Sequence, residues 1–262
     1  MNNNINSSSL NQGQKKPLSW RRFASPVYFQ GFAKRGSSIA LVVASVLGLI
    51  GCVYGFLFAP VDGVQGNSYR IMFLHVPSSW MAMIIYLAMA FWSFIYLVWR
   101  THTSVLMVRA MVPTGALMCL LSLVSGTIWG KPTWGTYWVW DARLTSMLLL
   151  LFLYLGLIAL LQSIRSEQRA NLVAALWSIV GAVNVPIIYF SVIWWNTLHQ
   201  GASISMSRGV SIHPDMFYAL LFMTFAAWAY AIGVILRRAR WLLLNKYAHS
   251  DWVQQLLLGK GD

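Results

Sequence analysis

Two histidines of this sequence combine a suitable side chain with a suitable position for binding a metal ion. His75 stands in the segment MFLHVPSSW and His199 in the segment WWNTLHQG, and each is close to a long apolar run. A neutral imidazole is a good ligand for haem iron, and two imidazoles can occupy both axial positions. Histidines at these positions are also typical of an ordinary membrane interface, so the spacing alone gives a candidate pair of ligands.

A tryptophan-rich segment lies between the two histidines in the chain. Four tryptophans and one tyrosine fall within the twelve residues from Trp129 to Trp140. An aromatic belt at the lipid headgroups explains roughly one or two tryptophans per helix end. Flat indole rings can instead form a platform for a large planar apolar ligand. Gly130, Pro132 and Gly135 predict that the segment folds back tightly.

The neighbours of these residues predict local structure. Asp141 and Arg143 come directly before an apolar run, where they fit a structural ion pair, a cap for the helix that begins there, or a part of a binding site. Around His75, the capping residue Asn67 and the proline Pro77 predict a short helix that begins near Asn67 and ends before Pro77.

Six long apolar runs surround these segments and predict an all-α bundle in a membrane. The chain has 262 residues, of which 58% are hydrophobic and 10% are charged. A helix of about 20 residues crosses the hydrocarbon core, and continuous apolar runs exclude barrel strands, which alternate in polarity. The predicted transmembrane helices are Ser38–Ala59, Trp80–Trp99, Met107–Trp129, Leu144–Leu161, Leu172–Trp195 and Met216–Leu236.

The basic residues predict how this bundle is oriented. Fifteen Lys and Arg residues fall in the head, in the tail, and in or next to the loops after the second and fourth runs. The positive-inside rule places that side in the cytoplasm, so both termini are predicted to be cytoplasmic. The net charge of +13 then reflects topology and attraction to anionic membrane lipid, and it does not indicate nucleic-acid binding. The four cations predicted to be external are Arg70, Lys131, Arg143 and Arg208.

The sequence divides into three predicted parts. Residues 1–36 form a polar and basic cytoplasmic head, residues 37–236 form the six-helix domain, and residues 237–262 form a cytoplasmic tail. The tail mixes Trp and Leu with basic residues, which predicts a helix lying on the membrane surface. Cys52 and Cys119 both stand in apolar runs and the sequence has no CxxCH motif, so neither a disulfide framework nor thioether-linked haem is expected.

The tryptophan-rich segment resembles the WWD motif of haem-handling proteins in cytochrome c biogenesis, through the pattern Trp134-Gly135-x-x-Trp138-x-Trp140-Asp141-x-Arg143-Leu144-Thr145. Within that superfamily, the segments around His75 and His199 resemble the two external histidine segments of the cytochrome c maturation protein C (CcmC) family. Six spans with both termini inside also fit that family. The resemblance covers roughly residues 38–236.

This resemblance implies a haem-delivery protein of the bacterial inner membrane, and not an enzyme. Such a protein binds haem b (iron protoporphyrin IX) at the periplasmic face and passes it to a membrane-anchored haem chaperone. The other partners it implies are the ATPase and permease subunits of an ABC-type complex and a small membrane subunit. The site residues it implies are the axial ligands His75 and His199 and, around the haem, Trp134, Trp138, Trp140, Asp141 and Arg143.

Two other functions fit parts of the sequence. A b-type cytochrome electron-transfer subunit holds haem between histidines on its helices, and none of the six predicted runs contains a histidine. A haem-exporting permease needs polar or broken helices near the middle of the membrane. Asn184 and Pro186 in the fifth run are the best candidates for such a break, although the same pair fits a simple helix kink. The nucleotide motif GxxxxGK[ST] is absent from the sequence.

Overall fold

The computed structural model describes residues 25–195, 199, 204–205, 209–210 and 212–258. A π-helical turn, Tyr54–Phe58, extends α1, and a 3₁₀ turn, Ser68–Ile71, leads into α2. Two very short antiparallel strands, β1 (Ile204–Ser205) and β2 (Gly209–Val210), pair with each other. The helices are α1 (Pro26–Val53), α2 (Met72–Trp99), α3 (His102–Trp134), α4 (Ala142–Ser163), α5 (Glu167–Gly181), α6 (Asn184–Trp194), α7 (Pro214–Lys246) and α8 (Asp251–Leu257).

The described part of the chain contains six helical segments that are long and apolar enough to cross a membrane. The predicted all-α fold with six transmembrane helices is therefore confirmed, and the protein is a multi-pass membrane protein. Each predicted run lies within one of these segments or ends one residue beyond it. The cytoplasmic placement of both termini stays a prediction. The six segments are Pro26–Phe58, Ser68–Trp99, His102–Trp134, Ala142–Ser163, Glu167–Trp194 and Pro214–Lys246.

The first and last of these helices extend well beyond the apolar runs. α1 begins at Pro26, because proline is favoured in the first turn of a helix, and α7 continues to Lys246. The expected limits of the head and the tail, at residues 36 and 236, therefore fall inside continuous helices. The three-part division and the membrane-lying tail stay predictions, and most of the head lies outside the described residues.

The helices pack around α3, which contacts α2, α4, α5 and α7, while α1 lies along α7. At the centre, the rings of Tyr86 and Tyr154 meet edge to face at 5.0 Å. The Tyr154 hydroxyl donates a hydrogen bond to the carbonyl oxygen of Ala82 (2.7 Å). Gly115 and Gly181 are required here, because a Cβ on either residue would collide with one of these tyrosines. The result is a fully buried aromatic layer within the bundle.

The predicted end of a short helix before Pro77 is wrong, because α2 runs through this proline. Pro77 is the sixth residue of α2, where its missing N–H costs the helix a single hydrogen bond. The hydroxyls of Ser78 and Ser79 donate to the neighbouring carbonyl oxygens of Leu74 and His75 (2.7 and 2.8 Å). His75 consequently lies within a candidate span. The absence of histidine from the predicted runs therefore no longer counts against a b-type cytochrome subunit.

The fifth span is broken into two helices rather than merely kinked. α5 ends at Gly181 and α6 begins at Asn184. Pro186 has no N–H and cannot donate to the carbonyl oxygen of Ala182, four residues earlier. That oxygen instead accepts a hydrogen bond from Val185 N, only three residues along the chain (3.1 Å). The Asn184 side chain donates to Ser146 O of α4 (2.8 Å) and so fixes the start of α6. α6 is thus a half-helix of 11 residues that leads toward His199.

Candidate functional site

The structure brings most of the predicted site residues to one cavity. This cavity measures about 460 Å³ including its open mouth and lies among α2, α3, α4, α6 and the residues that follow α3 and α6. The predicted residues that line it are His75, His199, Trp134, Trp138 and Arg143.

His75 is held by the backbone of α3. Its Nδ1 lies 2.9 Å from the carbonyl oxygen of Ser122 and 3.2 Å from Ser125 Oγ. A carbonyl oxygen can only accept, so Nδ1 carries the proton and Nε2 keeps the lone pair that binds metals. Gly126 allows the imidazole to lie against α3, because an added Cβ would be 2.8 Å from His75 Cε1. The ring of Trp129 packs edge-on against it at 5.7 Å.

His199 is held by a side chain instead. Its Nδ1 lies 3.1 Å from Asp141 Oδ2, and its ring packs against Trp134 at 4.8 Å. The carboxylate fixes the same tautomer as in His75, with the lone pair on Nε2. Burial lowers the pKa of His199 below its usual value, as does the Arg143 guanidinium, while the hydrogen bond and charge of Asp141 oppose both. The imidazole is therefore neutral near pH 7, as a metal ligand must be.

Asp141 has two structural roles, one for each carboxylate oxygen. Oδ1 accepts a hydrogen bond from Leu144 N (2.7 Å) and caps α4, while Oδ2 holds His199. The predicted cap is thus confirmed. The alternative ion pair with Arg143 is not formed, since these two described residues lie beyond salt-bridge distance. The same residue that begins α4 also orients the histidine 58 positions later in the chain.

The tryptophans of the motif divide between the cavity and its surroundings. Trp134 is the last residue of α3, and Gly135 reverses the chain with a positive φ of 78°. Trp138 then returns to the cavity, whereas Trp140 is 77% exposed and packs edge-on against Trp138 at 5.5 Å. Trp140 therefore does not line the cavity. The expected roles of Gly130 and Pro132 in the reversal are wrong, because α3 continues through both residues to Trp134.

Among the described members of the four cations predicted to be external, Arg143 is the one that lines the cavity. It lies in the first turn of α4 and forms no hydrogen bond or ion pair with another described residue. Arg70 instead caps the π-helical end of α1, donating to the carbonyl oxygens of Gly55 and Ala59. Lys131 is exposed and donates to the carbonyl oxygen of Gly135 (3.0 Å). Arg208, the fourth candidate, lies outside the described residues.

Sequence reasoning did not find the polar wall of the cavity. Ser79 and Ser122 line it, and their hydroxyls bond to each other across α2 and α3. The pattern Ser122-x-x-Ser125-Gly126 could have indicated this polar wall, because it places small and polar residues on one face of an apolar helix. Outside the cavity, His213 caps α7 through a hydrogen bond from Asp215 N (3.3 Å).

Comparisons with known proteins agree with this architecture. Residues 19–254 match the family described as heme exporter protein C. The chain is 47% identical over 222 residues to heme exporter protein C of Escherichia coli K12, covering 84% of this chain and 89% of that protein. It is 45% identical over 186 residues to heme exporter protein C of Bradyrhizobium diazoefficiens, covering 71% of each. It is also 40% identical over 223 residues to a cytochrome c biosynthesis ccmC-like mitochondrial protein of Marchantia polymorpha, covering 85% and 94%.

Proposed function

The chain belongs to the heme exporter protein C family, and from this premise we propose that it binds haem b in the cavity and delivers it to a membrane-anchored haem chaperone during cytochrome c maturation. The observation that carries the proposal is the pair His75 and His199. Both line the same cavity, and both have Nδ1 bound to an acceptor, which keeps the metal-binding lone pair on Nε2. The names of the relatives, which refer to haem export and cytochrome c biosynthesis, support the same cargo.

The residues around the two histidines suit haem as a cargo. Trp134 and Trp138 offer indole surface to a planar apolar ring, and Arg143 offers a cation to its carboxylates. Two imidazoles fill both axial positions of haem iron, which favours carriage over oxygen chemistry. The chain acts here by holding and presenting a ligand, so we propose a delivery factor and not an enzyme.

The aromatic surface beside the cavity suits a protein partner. Tyr137 and Trp140 are 58% and 77% exposed and flank Trp138, which lines the cavity. Exposed aromatics next to a ligand site are typical of protein interfaces. We assign this surface to the chaperone that receives the haem. The wider assembly we propose is an ABC-type complex in the bacterial inner membrane, with ATPase, permease and small membrane subunits.

A b-type cytochrome subunit is the second candidate, and the position of His75 on α2 favours it. Against it, His199 follows the short helix α6 and depends on Asp141, whereas an electron-transfer subunit holds its haem between two helices. A haem-exporting permease would use the broken fifth span. The buried layer of Tyr86 and Tyr154 favours a closed bundle instead. Reversible reduction by a quinol, or haem uptake by vesicles that contain this chain alone, would support these alternatives.

The proposal is tested by the visible spectrum and haem content of the purified full chain. We expect His75→Ala and His199→Ala each to lose the bis-imidazole spectrum, and the double variant to lose most of its haem. His213→Ala is the matched control, because this histidine caps α7 and does not line the cavity. Wild-type haem content and spectrum in the double variant would contradict the proposal.

The chaperone step has its own test. Replacement of Trp138 or Asp141 by alanine should reduce the amount of haem–chaperone complex formed in cells, at equal accumulation of this chain. Normal complex formation after all four residues of the platform are replaced would remove the platform from the mechanism. Those four residues are Trp134, Trp138, Trp140 and Asp141.

A further inference from the structure

Trp129 contacts both His75 and the loop that joins α1 to α2. It lies on the face of α3 that supports His75, because residues 122, 125, 126 and 129 have the spacing of a single helix face. Its ring packs edge-on against the His75 imidazole at 5.7 Å. Its indole Nε1 donates a hydrogen bond to Gln65 Oε1 (2.8 Å), which stands 64 positions earlier in the chain. Trp129 thus links a candidate axial ligand to a residue that does not line the cavity.

The loop that carries Gln65 is held in one shape by its own hydrogen bonds. The Asp62 carboxylate accepts from the backbone N–H groups of Val64 and Gln65 (2.9 and 2.7 Å). The backbones of Asp62 and Gly66 also bond to each other in both directions (3.0 and 3.3 Å). Gly66 has a positive φ of 59°, a conformation that glycine adopts without strain. Gln65 therefore presents its side-chain oxygen to Trp129 from a fixed backbone.

The His75 imidazole needs a contact of this kind in addition to its hydrogen bond. The bond from Nδ1 to the Ser122 carbonyl oxygen fixes one corner of the ring, but the ring can still tilt about that bond. Gly126 limits the tilt on the side of α3, because its backbone lies close to His75 Cε1. The ring of Trp129 limits it further. The plane of the imidazole therefore depends on whether Trp129 itself is held in place.

We propose that Gln65 is a positioning residue, which sets the plane of the His75 imidazole by holding Trp129. This inference rests on the proposed function, because it concerns an axial ligand of haem, and it extends the site to a loop outside the cavity. Gln65 and Trp129 are both half-buried, so their hydrogen bond also stabilises the fold. A bond with that role alone changes stability, whereas a positioning residue also changes the properties of the bound iron.

Electron paramagnetic resonance of the full chain, purified in detergent and loaded with ferric haem, tests the positioning role. The spectrum of a ferric haem with two imidazole ligands depends on the angle between the planes of the two rings. Gln65→Met removes the acceptor and nearly keeps the length of the side chain. We expect this variant to give shifted and broadened signals, and to bind haem about two- to tenfold more weakly, as the loss of one hydrogen bond implies.

Three further variants separate positioning from general damage. Val64→Ala is the matched control, because this neighbour in the same loop is 96% exposed, and it should keep the wild-type signals and affinity. Trp129→Phe keeps a ring beside His75 but lacks the N–H, so it should also shift the signals. In the Trp129→Phe background, Gln65→Met should change them no further. If Gln65→Met fails to accumulate, Trp129→Phe still tests the inference from the other partner.

Denaturant unfolding of the haem-free chain tests the hydrogen bond itself. Gln65→Met and Trp129→Phe each remove the same bond, so their effects on the free energy of unfolding should not add in the double variant. Additive effects would mean that the two side chains do not interact, which overturns the inference.

The two measurements also separate this inference from the proposed function. If the unfolding effects are not additive but Gln65→Met keeps the wild-type signals and haem affinity, the bond is structural and the positioning role is overturned. If Val64→Ala shifts the signals as much as Gln65→Met does, the assignment to Gln65 is overturned. A wild-type chain that gives no bis-imidazole spectrum at all overturns the proposed function instead.

Discussion

His75 and His199 reach the same cavity from supports of very different kinds. His75 stands on the 28-residue helix α2, which packs along α3, and its acceptor is a backbone carbonyl oxygen. His199 follows the 11-residue helix α6, beyond the break in the fifth span, and its acceptor is the side chain of Asp141. A backbone acceptor persists through almost any substitution, whereas a side-chain acceptor is lost with a single one.

This difference suggests that the two sides of the cavity have different roles. One side, the α2/α3 wall, carries His75, and the other, the His199 wall, carries His199 and Asp141. The α2/α3 wall fixes one imidazole by packing within the bundle, so it is suited to keep its ligand. The wall of Asp141 and His199 lies at the end of the bundle, where a few hydrogen bonds decide its arrangement. A carrier must bind its cargo and also release it. We therefore expect the His199 wall to be the one on which small changes have the larger effect.

The largest effect is expected from Asp141. Asp141→Ala removes both the cap of α4 and the acceptor of His199, which should lower the free energy of unfolding by about 2–3 kcal/mol. Loss of such an outer partner also weakens metal binding roughly 10–100-fold. Asp141→Asn should keep the cap, because asparagine is a good N-cap, yet still lose most of the haem affinity. Denaturant unfolding and haem titration measure the two effects separately.

Ser125→Ala is the matching change on the opposite wall. It removes a hydroxyl 3.2 Å from His75 Nδ1 but leaves the carbonyl oxygen of Ser122 at 2.9 Å. We expect a change of no more than about twofold in haem affinity, because the acceptor of the histidine remains. If Ser125→Ala and Asp141→Asn weaken haem binding equally, the contrast between the two walls is wrong.

An intermediate effect is expected from Gly126 on the α2/α3 wall. A Cβ at this position would lie 2.8 Å from His75 Cε1, so Gly126→Ala must push the imidazole away from Ser122. Overpacking of this kind costs about 1–2 kcal/mol, and the visible spectrum should show a mixed population of bound haem. Thermal unfolding measures the loss of stability, and the absorption spectrum of the same sample measures the mixed population of bound haem.

Gly31→Ala provides the control for that change. Gly31 lies in α1, and an added Cβ there meets no atom within 4 Å. Alanine is the better helix former, so this variant should be as stable as the wild type or slightly more stable. If the spectrum of Gly126→Ala were identical to that of the wild type, the added Cβ would not displace the imidazole of His75, and the expected rigidity of the α2/α3 wall would be wrong.

The sequence predicts the spans because lipid leaves the backbone few choices. A continuous apolar run must be helical in a membrane, and the six runs are therefore found in the structure. The ends of the helices were less predictable, since a helix can continue into the headgroup region at little cost. α3 thus continues through Pro132 to Trp134. α2 passes through Pro77, because a proline near the start of a helix removes only one hydrogen bond.

The candidate site was predictable in its residue types but not in its contacts. The motif pointed to Trp138 and Arg143, yet nothing local indicates that Asp141 and His199 meet across 58 positions. The acceptor of His75 is a backbone carbonyl oxygen, which every residue possesses, so the sequence carries no signal for it. Trp140 is exposed and does not line the cavity, which the sequence could not show because residue spacing does not define a face in an irregular segment.

The smallest effect concerns pH and acts on the His199 wall. Burial and, next, the charge of Arg143 lower the pKa of His199, so the folded protein binds this proton less tightly than the unfolded chain. The contribution of neutral His199 to stability is therefore complete above the ordinary pKa of about 6.5. It decreases as the pH falls from there toward the lowered value. Thermal unfolding of the haem-free protein in detergent should show a lower midpoint at pH 5.5 than at pH 7.5.

His199→Gln isolates that contribution, because the other titratable groups remain. The variant should lose part of the difference between the two midpoints, since glutamine can still donate to Asp141 but does not titrate. The pH dependence that disappears in this variant is the part that depends on the charge of His199. An unchanged difference between pH 5.5 and pH 7.5 in His199→Gln would mean that the acid sensitivity of the folded protein arises at another titratable group.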